Sequence, residues 1–186
     1  MKKTIFTGAG ITALLVFIVM AFSGCDPDAT YTTIYVVRHA EVHYPPGENN
    51  PHLLPEGEVR AEALADKFGS STFAAVYVTE KHRTRETASP TLAALSMDST
   101  EINDGLNQDL VDHVLTNHSG KAVLIVNHSH NIEDILVRFH AKNPFPGAAS
   151  YPGDDYDKLF TLIHTHKEGV RDTSVIVETT YGAVSP

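Results

Sequence analysis

Ile34-Tyr35-Val36-Val37-Arg38-His39-Ala40-Glu41 leaves this chain few architectures to choose from. Four β-prone residues run straight into an Arg-His pair, the pattern of a strand buried on both faces that delivers two polar side chains at its carboxyl end. Strands of that kind belong to parallel sheets covered by helices, and open α/β sheets bind ligands outside the carboxyl ends of their strands. An imidazole beside a guanidinium suits phosphoryl chemistry. The planar fork of Arg38 clamps phosphate oxygens, and its charge disfavours a protonated ring, which leaves a neutral nitrogen of His39 free to attack phosphorus. By itself the pair fits equally well a strand that ends in a solvated arginine and a packed histidine, so the remainder of the chain has to supply partners.

Strand-like and helix-like segments alternate from there on. Pro55 suits the first turn of a helix. Ala61, Leu64, Ala65 and Phe68 follow at i, i+3, i+4 and i+7 and make one buried face, ended by Gly69. Phe73 to Val78 reads as a second buried strand. It leads into a polar helix start at Thr79 to Thr87 that continues to Leu95, with a bend expected at Pro90. A short strand near Thr100 to Ile102, a turn at Asp104-Gly105 and a helix striped by Leu110, Val111, Val114 and Leu115 come next. Ala122 to Val126 is another apolar strand, running into Asn127-His128-Ser129-His130-Asn131 and a helix marked by Ile132, Ile135, Leu136 and Phe139. His43 to Leu54 and Asn143 to Asp157 are breaker-rich loops, while Leu159 to Thr165 and Ser174 to Thr180 read as a closing antiparallel hairpin. The expected fold class is therefore α/β: a three-layer αβα sandwich, with a mainly parallel sheet and helices on both faces.

The first 25 residues read as a targeting segment. Lys2 and Lys3 give a positive start, Ile5 to Phe22 is almost wholly apolar, and Phe22-Ser23-Gly24-Cys25 closes the run with small residues and the sole cysteine. The segment resembles a bacterial lipoprotein signal, which implies lipidation at Cys25, a tether over residues 26–31 and a domain over 32–186. An uncleaved membrane helix is the rival reading, because the apolar run is nearly long enough to span. Either way the domain is expected in the cell envelope, outside the cytoplasm and held to a membrane. Asp26 after the cysteine resembles an inner-membrane retention signal. With 14 basic and 23 acidic residues the net charge is −9, and two of the basic residues are Lys2 and Lys3. No Lys/Arg cluster follows, which excludes the phosphate-neutralising stripe that nucleic-acid binding requires. A phosphate site on so acidic a domain has to be a local basic pocket.

Three strands end in cationic or potentially cationic groups: Arg38-His39, Arg83 just beyond the second strand, and His128. Each lies at a carboxyl end, so all can meet at one crevice, and a phosphoryl dianion is the natural counter-ion. Arg38-His39-Ala40, Arg83-Thr84 with Thr87-Ala88, and Val126-Asn127-His128 look like the histidine phosphatase superfamily, in its branch 1 related to phosphoglycerate mutase. Leu54-Pro55-Glu56-Gly57 and Asp154 to Phe160 extend the likeness. The resemblance implies a phosphoglycerate mutase-like fold and a phosphatase that hydrolyses a phosphomonoester or phosphoprotein through phosphohistidine on His39. Arg38, Arg83 and His128 would hold the phosphoryl oxygens, with no metal and no other cofactor. Members acting on alkyl esters carry a carboxylic acid that protonates the leaving oxygen. Here Glu41 and Asp104, with Glu101 and Asp109, are carboxylates in range, each also readable as an ordinary solvated group. A missing acid points to good leaving groups such as imidazole. A non-catalytic phosphate or phosphoprotein binder and, further off, a mutase remain the alternatives.

Of the other histidines, the i, i+2 pairs His128/His130 and His164/His166 have a spacing that could seat a metal on a strand. His130 falls at a helix start, and the second pair has no evident carboxylate or third histidine in the sequence, so no metal site is expected. His43, His52 and His82 lie near enough to the Arg-His stretch to contact substrate.

Overall fold

In a computed structural model, residues 26–142 and 154–185 are described. The expected targeting segment, Cys25 and most of the second loop lie outside the described residues. Among the described residues no helix is long and apolar enough to cross a membrane.

The chain runs β1 (Thr30–Arg38), α1 (Pro55–Phe68), β2 (Ala75–Val78), α2 (His82–Leu95), β3 (Ser99–Glu101), α3 (Asn107–Asn117), β4 (Ala122–Asn127), α4 (Ser129–Arg138), β5 (Lys158–His166) and β6 (Thr173–Thr180). One six-stranded sheet results, in the order β3-β2-β4-β1-β5-β6. β1 to β4 are mutually parallel, β5 pairs antiparallel with β1, and β6 pairs antiparallel with β5 at the edge. β1 starts at Thr30, two residues before the expected start of the domain at residue 32. β5 extends to His166, so Thr30 and Tyr31, expected in the tether, find ladder partners in His166 and Thr165. α2 is a single helix across Pro90.

Alternation along the strands sorts the core into two layers. Ile34 and Val36 of β1 and Val123 and Ile125 of β4 pack with Leu110, Val111 and Val114 of α3 and Ile132, Ile135 and Leu136 of α4. Val37, Leu124 and Val126 point the other way and pack with Leu64 and Phe68 of α1 and Ala88 of α2. Helices thus cover both faces, and the strands are apolar on both sides because both sides are buried. This is the α/β sandwich expected from the alternation.

Two local features fix where the site forms. The loop after β1 is pinched at its base by an antiparallel bridge between Val42 and Leu53 and by the Leu54 amide donating to the Glu41 carbonyl at 2.9 Å. The first turn of α1 also presses on that backbone: a Cβ at Gly57 would lie 2.5 Å from the Glu41 carbonyl oxygen, so only glycine fits there.

Candidate active site

β1, β2 and β4 are parallel neighbours, so their carboxyl ends open on the same edge of the sheet, and four buried cationic or imidazole residues, Arg38, His39, Arg83 and His128, meet there. His39 follows β1 directly, and its amide donates to the Asn127 carbonyl at 2.8 Å, carrying the β1–β4 ladder one step past the strand. Ala40 donates its amide to Thr87 Oγ1 at 2.8 Å, while the Thr87 hydroxyl donates to the Arg83 carbonyl at 2.6 Å. The turn after His39 is therefore bolted to the first turns of α2, the helix that carries Arg83. His128 caps α4, its amide donating to Asn127 Oδ1 at 2.8 Å, and its ring centroid lies 5.4 Å from that of His39.

A hydrogen bond fixes which ring nitrogen of His39 carries the proton. His39 Nδ1 lies 2.8 Å from the Ala40 carbonyl oxygen. A carbonyl only accepts, so Nδ1 holds the proton and Nε2 keeps its lone pair. Burial holds the His39 pKa well below the ordinary histidine value, and the charges of Arg38, His128 and Arg83 push it the same way against the Ala40 bond. His128 is lowered to about 4, first by burial and then by Arg83. Its Nε2 meets Thr79 Oγ1 at 2.9 Å. Its Nδ1 is buried and has no protein partner. Arg83 Nε and Nη1 are likewise buried without a protein acceptor. Two guanidinium N–H groups and a ring nitrogen left in this way at the edge that holds His39 carry a large desolvation penalty that an anion with several oxygens would relieve.

Two tyrosines wall the crevice. The Arg38 guanidinium lies over the Tyr156 ring at 3.9 Å, and that of Arg83 lies 5.7 Å from the Tyr44 ring centroid. Sequence reading missed both, along with Thr79, the first polar residue after the second apolar run and thus the one detectable signal among them.

Of the four carboxylates, Asp104 alone is recorded against a site histidine, its Oδ2 lying 3.8 Å from His128 Nε2. Asn131 Nδ2 donates to its Oδ1 at 2.8 Å, and His130 Nε2 lies 3.1 Å from the same oxygen. Burial alone would raise its pKa, but His128, Asn131 and His130 hold it below the usual carboxylate value. Glu41 is committed elsewhere: Arg60 Nε donates to both its oxygens at 2.9 Å and Nη2 to Oε1 at 2.6 Å. Glu101 pairs with Arg85, and Asp109 is exposed in the first turn of α3. His52 and His82 stack at 4.3 Å beside Glu86, and His43 is exposed on the loop.

The depressed histidines predict an acid-labile fold. Between about 6.5, the ordinary value, and about 4, the unfolded chain binds a proton at His128 that the folded chain refuses. Stability therefore rises with pH across this window and is lost as pH falls through it. Denaturant midpoints measured from pH 7 to pH 4.5 should decline, and His128→Asn should flatten the slope. An unchanged slope in the variant would show that this ring is not held neutral.

Residues 34–108 match the histidine phosphatase superfamily (branch 1). No curated protein matches the chain. Among solved structures, "Mycobacterial hydrolase 2" superposes with a TM-score of 0.64 at 10% identity, covering 84% of this chain and 93% of that one. The protein histidine phosphatase SixA complexed with tungstate gives 0.56 at 14% identity, covering 80% and 96%. A mycobacterial glucosyl-3-phosphoglycerate phosphatase gives 0.57 at 12%, covering 72% and 91%. At such identities these likenesses establish a shared fold.

Proposed function

We propose, from the histidine phosphatase domain that residues 34–108 match, that the protein hydrolyses a phosphomonoester or phosphoprotein through a phosphohistidine at His39 Nε2. The observation that carries the reading is the set of buried polar atoms without protein partners, Arg83 Nε, Arg83 Nη1 and His128 Nδ1, at the sheet edge that also holds the ring of His39, whose Nδ1 is the protonated nitrogen. In the first step the Nε2 lone pair of His39 forms a bond to phosphorus as the bond to the leaving group breaks. In the second, water attacks phosphorus, the P–N bond breaks, and inorganic phosphate leaves with His39 restored. Arg38, Arg83 and His128 supply donors to the three equatorial oxygens, where the transition state spreads its charge.

Asp104 bears on the leaving group. Donors crowd its carboxylate and its pKa lies below the ordinary value, so it holds no proton to give at neutral pH. That favours substrates whose leaving groups depart unaided, such as phosphorylated imidazole or aryl phosphates, over alkyl phosphates. The tyrosines beside Arg38 and Arg83 offer flat surfaces to such groups.

Incubation with a panel of labelled phosphodonors, followed by alkaline quench, tests both parts. Label should appear on His39, and turnover of a phosphohistidine peptide or an aryl phosphate should exceed that of an alkyl phosphate by about a hundredfold or more. Saturable binding with neither label nor phosphate release would leave the binder reading in place of the enzyme. Preference for alkyl esters would refute the leaving-group argument alone.

A further inference from the structure

β5 places His164 opposite Thr32, near the start of β1, whereas His39 follows the other end of that strand. Seven strand residues separate the two levels, roughly 23 Å at 3.3 Å per residue. His164 is 1% exposed, and the chemistry described above makes no use of it.

Its proton is assigned by its neighbours. Ser174 Oγ donates to the Phe139 carbonyl, so toward His164 both that hydroxyl and that carbonyl can only accept. They lie 3.1 and 3.3 Å from His164 Nδ1, which must therefore carry the hydrogen. The lone pair then sits on Nε2, and Nε2 faces Asp172 Oδ2 at 3.5 Å. Two electron-pair donors thus face each other, an arrangement that a shared cation would bridge. The other carboxylate oxygen is fixed by His166 Nδ1 at 2.8 Å. A ring that donates Nδ1–H to the backbone and offers Nε2 is the usual state of a metal-ligating histidine.

A third ligand comes from the end of α4. His140 occupies the left-handed region, with φ of 59°, at a helix terminus where glycine is the common choice. Its amide donates to the Val137 carbonyl at 2.9 Å and that of Ala141 to the Leu136 carbonyl at 3.2 Å. That conformation, costly for a side chain, sets the His140 ring 5.9 Å from that of His164. One donor atom from each of His140, His164 and Asp172 lies within 4.8 Å of the others. Neighbouring ligand atoms on tetrahedral zinc stand about 3.3 Å apart. The His164–Asp172 pair already meets that spacing, and His140, being exposed, can turn to meet it.

We propose that His140, His164 and Asp172 form a binding site for a borderline divalent metal ion of the zinc class, with a fourth position open to water. Two imidazoles and one carboxylate suit zinc and disfavour magnesium or calcium, which take oxygen ligands. The ion would tie the end of α4 to β5 and to the turn between β5 and β6, stabilising the far end of the sheet without touching phosphate. The sequence hides the site because only His164 and His166 are close in the chain, and the third histidine and the carboxylate arrive by folding.

The test uses the full-length chain in detergent, stripped with chelator and titrated with zinc chloride by calorimetry and thermal melting. One ion should bind per chain and raise Tm, and magnesium should do neither. His140→Ala and Asp172→Asn should each weaken zinc binding at least about tenfold, as removing a ligand does. Both positions are partly or fully exposed, so these variants should fold, which the buried His164 need not allow. His52→Ala, in the separate cluster with His82 and Glu86, should leave affinity unchanged. Absence of zinc binding, equal binding of magnesium, or binding lost in His52→Ala but kept in the other two variants would overturn the site.

Discussion

His39→Ala is expected to lower phosphate release by at least about three orders of magnitude, with no labelled intermediate at any quench time and with phosphate binding retained. Losses on that scale are typical when a covalent nucleophile is removed. The backbone around the residue should survive the change. The His39 amide bond to Asn127 and the Ala40 amide bond to Thr87 are independent of the ring, and the ring bonds only to the adjacent carbonyl. The alanine variant should therefore melt near the parent and still bind tungstate or phosphate through Arg38, Arg83 and His128. Retained turnover would show that the nucleophile lies elsewhere. A variant that loses binding together with turnover would mean that His39 holds the anion instead of attacking it.

Arg60→Ala should cost about 3–5 kcal/mol of stability, the usual penalty for breaking a buried ion pair by removing one partner. Its side chain is 4% exposed, and besides gripping both oxygens of Glu41 it donates to the Tyr181 carbonyl at 3.0 Å and the Ala183 carbonyl at 2.9 Å. Alanine would leave a half-buried carboxylate and two carbonyls without donors. For a domain of this size Tm should fall by roughly 10 °C, read in thermal melts alongside the urea midpoint. The double variant Arg60→Met with Glu41→Gln should recover part of the loss, because the stranded charge is gone. A drop under about 1 kcal/mol would show that the pair is solvated. Glu41 lies two residues from His39, so the single variant should also blunt activity by loosening the turn, whereas the double variant should restore some of it.

Much of this arrangement was legible before folding. Apolar runs such as Val123 to Val126 can only be strands buried on both faces, and the helices announced their inner faces through Leu64, Phe68, Ile132 and Ile135. Arg38, His39, Arg83 and His128 were readable because each follows or ends such a run. Arg60 gave no signal, since an arginine in a helix ordinarily faces water, and only the tertiary partners Glu41, Tyr181 and Ala183 reveal that it is buried. Proximity in sequence misled for Glu41: it stands two residues from His39, yet its carboxylate serves Arg60. Asp104 is remote in sequence and reaches His128 only because β2 lies between β3 and β4. Strand order depends on which hydrophobic faces find one another, and one-dimensional spacing does not encode it.

β1 leads into Arg38 and His39, yet both of its neighbours in the sheet, β4 and β5, come from the second half of the chain. Such distant pairings incur loop-closure entropy before any contact repays it, so folding should be slow for a domain of this length. A nascent polypeptide halted before Lys158 keeps one edge of β1 open, an invitation to pair with another molecule. The sheet is thus completed only at the final docking of the carboxyl-terminal hairpin, and biogenesis depends on shielding that unfinished edge until then.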